Sequence, residues 1–165
     1  MAANAVLIGI DPGPETSGVV VYRAGGSPKV IEAHAKLDLE GVRKVLHGYP
    51  AWSSVALIER VSAGAVSGKH ILQTAEVVGR LMEYFETRNF TYHTLYRREV
   101  LKALGVGSGA SKDALVRQVV LELHPEGTGT KKNPGPLYGV STHAWQALGL
   151  CCAHALRNDL YTETT

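Results

Sequence analysis

Three apolar runs follow one another before any helical period appears. "AVLIGI" is ended by "DPGPETSG", "VVVY" resumes, and "GGSP" breaks the chain before "KVIEAHAKL". Runs of this length separated by Pro- and Gly-rich turns predict three consecutive strands. After them the order changes. "LEGVRKVL" places Leu39, Val42, Val45 and Leu46 at helical spacing, and "SSVALIE" is a fourth strand with little alternation, as expected where both faces are covered. A long amphipathic helix is predicted from about Gly68 to Arg88, a fifth strand at "TYHTLY" and a short helix at "REVLKALG" with Gly105 beyond its end. "SKDALVRQVVLEL" predicts a helix with Ser111 as N-cap and Asp113 in its first turn. A last helix is expected from about Thr142. Strands in series followed by strands separated by helices predict an α/β fold, one five-stranded mixed sheet with helices on both faces.

Two carboxylates stand where this pattern makes them expensive. Asp11 closes "VLIGI" and Glu59 closes "VALI". Asp-Pro-Gly is ordinary turn chemistry, so Asp11 alone says little. Glu59 ends a strand that reads as central, where an acid must be desolvated and paired. If the first and fourth strands are neighbours, the two acids converge at one edge of the sheet. Two such charges about 4 Å apart repel by roughly 4 kcal/mol at an effective dielectric near 20. A divalent cation relieves that repulsion, and carboxylate oxygens suit Mg²⁺ or Mn²⁺.

His143 and Gln146 open the last helix three residues apart, on one face of it. A helix N-terminus disfavours imidazolium, and neutral imidazole is the form that ligates a metal or accepts a proton. Trp145 points elsewhere and is expected in the core.

Charge adds a second strand of argument. Residues 88–132 hold 8 Lys and Arg against 4 Asp and Glu, whereas residues 1–87 hold 8 against 9. The local excess suits a polyanion as well as it suits a solvated face. Arg97, Arg98, Lys102, Lys131 and Lys132 are the phosphate-contact candidates within it. "GAVSGKH" falls one residue short of a phosphate-binding loop and has His70 where Ser or Thr is required. "GVGSGAS" lacks the full dinucleotide fingerprint. The adjacent Cys151 and Cys152 have neither disulfide-framework nor zinc spacing and are expected as buried thiols. The chain shows no signal-peptide pattern and no apolar run long enough for a membrane span, so a single cytoplasmic domain over residues 1–165 is expected, with no membrane association.

Together, "IGIDPGPETSGVVVY", the strand ending in Glu59, the "GASKDALVRQVV" helix start and the terminal "HAWQALGL" resemble the RuvC-type Holliday junction resolvases of the ribonuclease H-like superfamily. The resemblance runs in order over nearly the whole chain and implies a ribonuclease H-like fold. It implies a divalent-metal-dependent endonuclease resolving four-way (Holliday) or other branched DNA junctions by two-metal hydrolysis. The family's four metal-binding positions fall on Asp11, Glu59, His143 and Gln146. Asp11 would bridge two Mg²⁺ (or Mn²⁺) ions, Glu59 would hold one, and His143 would ligate the other or act as general base. Lys112 matches a family lysine that approaches the phosphate backbone. The family usually has Asp at the last pair of positions, with His also found at the first, so Gln146 is the marked departure. A second departure is the lack of an aromatic residue in "ERVSAGAVSGKH", where family members often place one to stack on a base. The resemblance also implies a homodimer, with the helix beginning near Gly68 as its face. Two alternatives stay open. One is a ribonuclease H-like nuclease acting on another nucleic acid, such as an RNA–DNA hybrid. The other is a catalytically weakened or silent junction-binding module.

Overall fold

The computed structural model describes residues 6–62, 68–107 and 112–161. Ser111, the expected N-cap, and parts of both glycine-rich stretches lie outside the described residues. The strands are β1 (Val6–Asp11), β2 (Ser17–Arg23), β3 (Lys29–Leu37), β4 (Ser54–Arg60) and β5 (Thr91–Tyr96). The helices are α1 (Leu39–His47), α2 (Lys69–Thr87), α3 (Arg97–Ala103), α4 (Lys112–Leu123) and α5 (Ala144–Arg157). The five strands form one sheet in the order β3-β2-β1-β4-β5. The first three run antiparallel as a meander, β4 then pairs parallel to β1 and β5 parallel to β4, each reached through a helix. This is the mixed α/β sheet with helices on both faces that the order of elements predicts.

Strand alternation divides the core in two. Ile8, Ile10, Ala56 and Ile58 pack with Val42 and Leu46 of α1 and with Val78, Leu81 and Phe85 of α2. Leu7, Val55, Leu57 and Leu95 pack on the other face with Val100, Leu101, Val116, Val120 and nearly the whole of α5. Because successive side chains point to opposite faces, Asp11 and Glu59 follow Leu7 and Leu57 onto the α5 side. α5 is buried all round for most of its length and lies tight against β1 and β2. Two glycines make that approach possible. A Cβ at Gly9 would strike the Ala147 carbonyl oxygen and lie 2.8 Å from Cys151 Sγ, and one at Gly18 would lie 2.6 Å from the His143 carbonyl oxygen.

Residue 142 is where sequence and structure differ. Thr142 has φ +39°, outside helical space, so α5 starts at Ala144 and His143 is its N-cap rather than a residue of its first turn. Trp145, Cys151 and Cys152 are buried, as expected. Among the described residues no helix is long and apolar enough to cross a membrane.

Candidate active site

β1 and β4 are hydrogen-bonded neighbours, with Ile10 beside Ile58, so Asp11 and Glu59 end adjacent parallel strands at the same edge of the sheet. On the far side of β4, Arg60 pairs with Tyr96, which brings Arg97 to that edge as the first residue of α3. The N-terminus of α5 closes over the same edge from the face of Gly18. Residues distant in sequence thus meet through register alone.

Both acids are largely withdrawn from water, Asp11 with 22% and Glu59 with 18% of the side chain exposed. Burial pushes the Asp11 carboxyl up to about 6, against the opposing pull of Arg97, and Asp113 pushes it further. Glu59 rises to about 7 for the same leading reason, again with Arg97 opposing and with Asp11 and Asp113 adding repulsion. Glu59 Oε2 is buried and accepts no hydrogen bond, and Arg97 Nη1 stands 3.6 Å from it, beyond hydrogen-bond reach. A buried carboxylate oxygen that accepts no hydrogen bond, with the Arg97 guanidinium 3.6 Å away and a second largely withdrawn carboxylate beside it, is a place a further cation would stabilise.

His143 is well exposed, and its Nδ1 lies 3.7 Å from Asp11 Oδ2. Gln146 follows in the first turn of α5, its N–H donating to the His143 carbonyl at 3.1 Å. The Gln146 amide oxygen does not look into open space: it accepts from Arg97 Nη1 at 2.6 Å. The other arm of the guanidinium, Nη2, donates to Asp113 Oδ1 at the start of α4. Oxygen donors from Asp11 and Glu59 with an imidazole alongside fit a hard divalent cation in kind. Among the described residues, however, no three His, Cys, Asp or Glu side chains are assembled as a ready metal cluster. Asp113 is engaged by Arg97.

The structure sorts the basic candidates. Lys112 opens α4 and is exposed beside Asp113. The Arg98 and Arg60 guanidinium carbons each lie 5.5 Å from the centre of the Tyr96 ring. Arg97 stands in the carboxylate cluster itself. Lys102 instead shares a cleft with Arg157 at the far end of α5. The loop carrying Lys131 and Lys132 is tied by a 2.7 Å bond from Val30 N–H to the Pro136 carbonyl, at the start of β3. Strand register puts that tie at the opposite end of the sheet from Asp11.

Sequence reasoning missed two features. Asp113 reads there as an ordinary first-turn acid, and nothing in a separation of 16 residues announces its pairing with Arg97. The second is a cleft of about 830 Å³ between the starts of α4 and α5, lined by Asp113, Arg117, Trp145, His143 and Gln146, with the Arg117 guanidinium 4.9 Å from the Trp145 ring centre.

No family model and no curated protein matches the sequence. Solved structures do. RuvC of T. thermophilus in complex with a Holliday junction substrate superposes with a TM-score of 0.68 at 15% identity, covering 94% of this chain and 96% of that one. The yeast mitochondrial Holliday junction resolvase Ydc2 gives 0.58 at 12% identity over 96% and 82%, and the fowlpox virus Holliday junction resolvase gives 0.57 at 11% over 93% and 99%. The chain therefore shares the ribonuclease H-like fold of the RuvC-type Holliday junction resolvases.

Proposed function

We propose that the protein is a divalent-metal-dependent endonuclease that cuts branched DNA, the Holliday junction above all. The observation that carries this reading is the pair Asp11 and Glu59. Two largely withdrawn carboxylates stand side by side at the ends of parallel strands, one with a buried oxygen that accepts no hydrogen bond, in a fold shared with junction resolvases.

Asp11, Glu59 and His143 are the residues to hold Mg²⁺ or Mn²⁺. A bound ion of this kind supplies Lewis-acid stabilisation of phosphate oxygens and a more acidic water, and the family resemblance implies a pair of them. In the reaction a water oxygen bonds to phosphorus, one phosphoester P–O bond breaks, and the departing oxygen takes a proton. His143, exposed at the α5 N-cap, either completes that ligand set or, where the two carboxylates hold the ion, is the group to accept the proton of the attacking water. Asp11 Oδ2 stands 3.7 Å from the imidazole Nδ1. Lys112, Arg60 and Arg98 border the same edge and suit the phosphates flanking the cut. A four-way junction needs two symmetric cuts, so a homodimer through α2 is part of the reading. Leu72, near the start of that helix, is 70% exposed.

The test incubates purified protein with end-labelled four-way junction, linear duplex and RNA–DNA hybrid, with Mg²⁺, with Mn²⁺ and with chelator. Paired metal-dependent nicks in the junction, lost in Asp11→Asn and His143→Ala, are expected. Cleavage of the hybrid alone transfers the activity to another substrate. Junction binding without cleavage in either metal leaves a silent binding module, the reading that the neutral Gln146 favours.

A further inference from the structure

Gln146 breaks the acidic pattern of the site, and Arg97 explains what stands there instead. Its side chain is three-quarters buried at the catalytic edge, 24% exposed. The guanidinium reaches three groups from three elements: the Gln146 amide oxygen on α5, the Asp113 carboxylate on α4 and, at 3.6 Å, Glu59 Oε2 on β4. The planar fork of an arginine makes such a bridge possible, and a lysine has no equivalent geometry.

We propose that Arg97 supplies from the chain itself the second positive charge of the site, so that the site takes one divalent cation per chain in place of two. This rests on the metal-dependent nuclease reading above. The charge balance points the same way. With both carboxyls ionised on binding, Asp11, Glu59 and Asp113 with the Arg97 guanidinium carry a formal charge of minus two, which one divalent ion cancels. An acid at position 146 would add a ligand for a further ion, but the oxygen at that position is neutral and is taken up by Arg97. Gln146 and Asp113 are then positioning residues for the guanidinium. The buried Glu59 Oε2, which accepts no hydrogen bond, and the neighbouring Asp11 mark the place where the ion is still needed. A fixed guanidinium at this edge is suited to a phosphate whose negative charge grows during cleavage, since its donors are already oriented.

The full-length protein is titrated with Mn²⁺ and the bound ion counted by electron paramagnetic resonance, with circular dichroism to verify the fold of each variant. One ion per chain is expected in the unaltered protein and none in Asp11→Asn. The double variant Arg97→Gln with Gln146→Asp, which removes the cation and restores an acid, is expected to take two. Arg97→Ala should keep one ion and lose about 100-fold in kcat on the junction. Two ions in the unaltered protein overturn the proposal while leaving the nuclease reading standing. A folded double variant that still takes one ion overturns the assignment to Arg97. No bound ion together with no junction cleavage overturns both.

Discussion

Arg97 Nη1 donates a 2.6 Å hydrogen bond to the Gln146 amide oxygen and so ties the start of α3 to the first turn of α5. The bond is charge-assisted and half-buried, the class that contributes about 1.5–3 kcal/mol. If it holds the guanidinium toward the phosphate, Gln146→Ala is expected to lower junction cleavage roughly 10- to 100-fold with junction affinity within about threefold. Gln146→Glu retains an oxygen acceptor for Arg97 and should stay above the alanine variant. Single-turnover cleavage with binding measured in parallel checks this, and equal rates for the alanine variant and the unaltered protein would remove Gln146 from the site.

The raised carboxyls make metal-free stability depend on pH in a definite direction. Asp11 titrates near 6 and Glu59 near 7 in the folded chain, against 3.8 and 4.5 as ordinary values. Between those limits the folded state holds more protons than the unfolded chain. Stability therefore falls as pH rises from about 4 to about 7 and levels off above. Each shift taken alone corresponds to something on the order of 3 kcal/mol. Urea unfolding in chelator should give lower stability at pH 8 than at pH 5, a smaller difference in Asp11→Asn, and recovery at pH 8 on adding Mn²⁺. Cleavage has the opposite slope, rising as both carboxyls ionise. A flat or rising stability profile in chelator contradicts a desolvation of the pair that outweighs the pull of Arg97.

Much of this was readable in advance, for reasons particular residues make plain. The sheet follows from the order of apolar runs, since three strands in series before any helix leave β4 and β5 to be added through crossovers. Asp11 and Glu59 stood out because an acid ending an apolar strand conflicts with its neighbours, and strand pairing turned that conflict into adjacency. The start of α5 was misplaced because Thr142 takes a left-handed backbone conformation that no local signal marks. Sequence groups Arg97 with Arg98 as phosphate-contact candidates, but at the start of α3 the two diverge, Arg97 among the carboxylates and Arg98 over Tyr96. Asp113 could not be found at all from sequence, because helix starts favour acids whether or not a cation lies across from them.

The two close approaches to α5 separate stability from positioning. At Gly9 an added methyl meets the Ala147 carbonyl and the buried Cys151 sulfur, neither of which can move without lifting the helix off β1. Gly9→Ala is expected to cost on the order of 3 kcal/mol, a fall of roughly 6–12 °C in Tm for a chain of this size. At Gly18 the clash is with the backbone and Cβ of His143, at the end of the helix. Gly18→Ala should therefore cost less in Tm and more in cleavage, by moving the imidazole away from Asp11. Calorimetry and junction cleavage on both variants distinguish the two effects. Equal ratios of lost stability to lost activity would mean that Gly18 does not position His143.

The proposed dimer makes a prediction on the opposite face of the molecule from α5. Leu72 is 70% exposed, and Ala75 and Gly79 follow it at helical spacing, also exposed. A stripe of one large apolar residue followed by small ones lets a second helix approach closely. Two chains per particle are expected by sedimentation equilibrium at micromolar concentration. Leu72→Asp places a charge in that stripe and should give a folded monomer, because the residue contributes little buried area within its own chain. Such a monomer keeps Asp11, Glu59 and Arg97 intact and so should still take up Mn²⁺, yet it should nick a four-way junction on one strand at a time, without the paired symmetric cuts. A Leu72→Asp variant that remains dimeric would place the interface elsewhere on the chain.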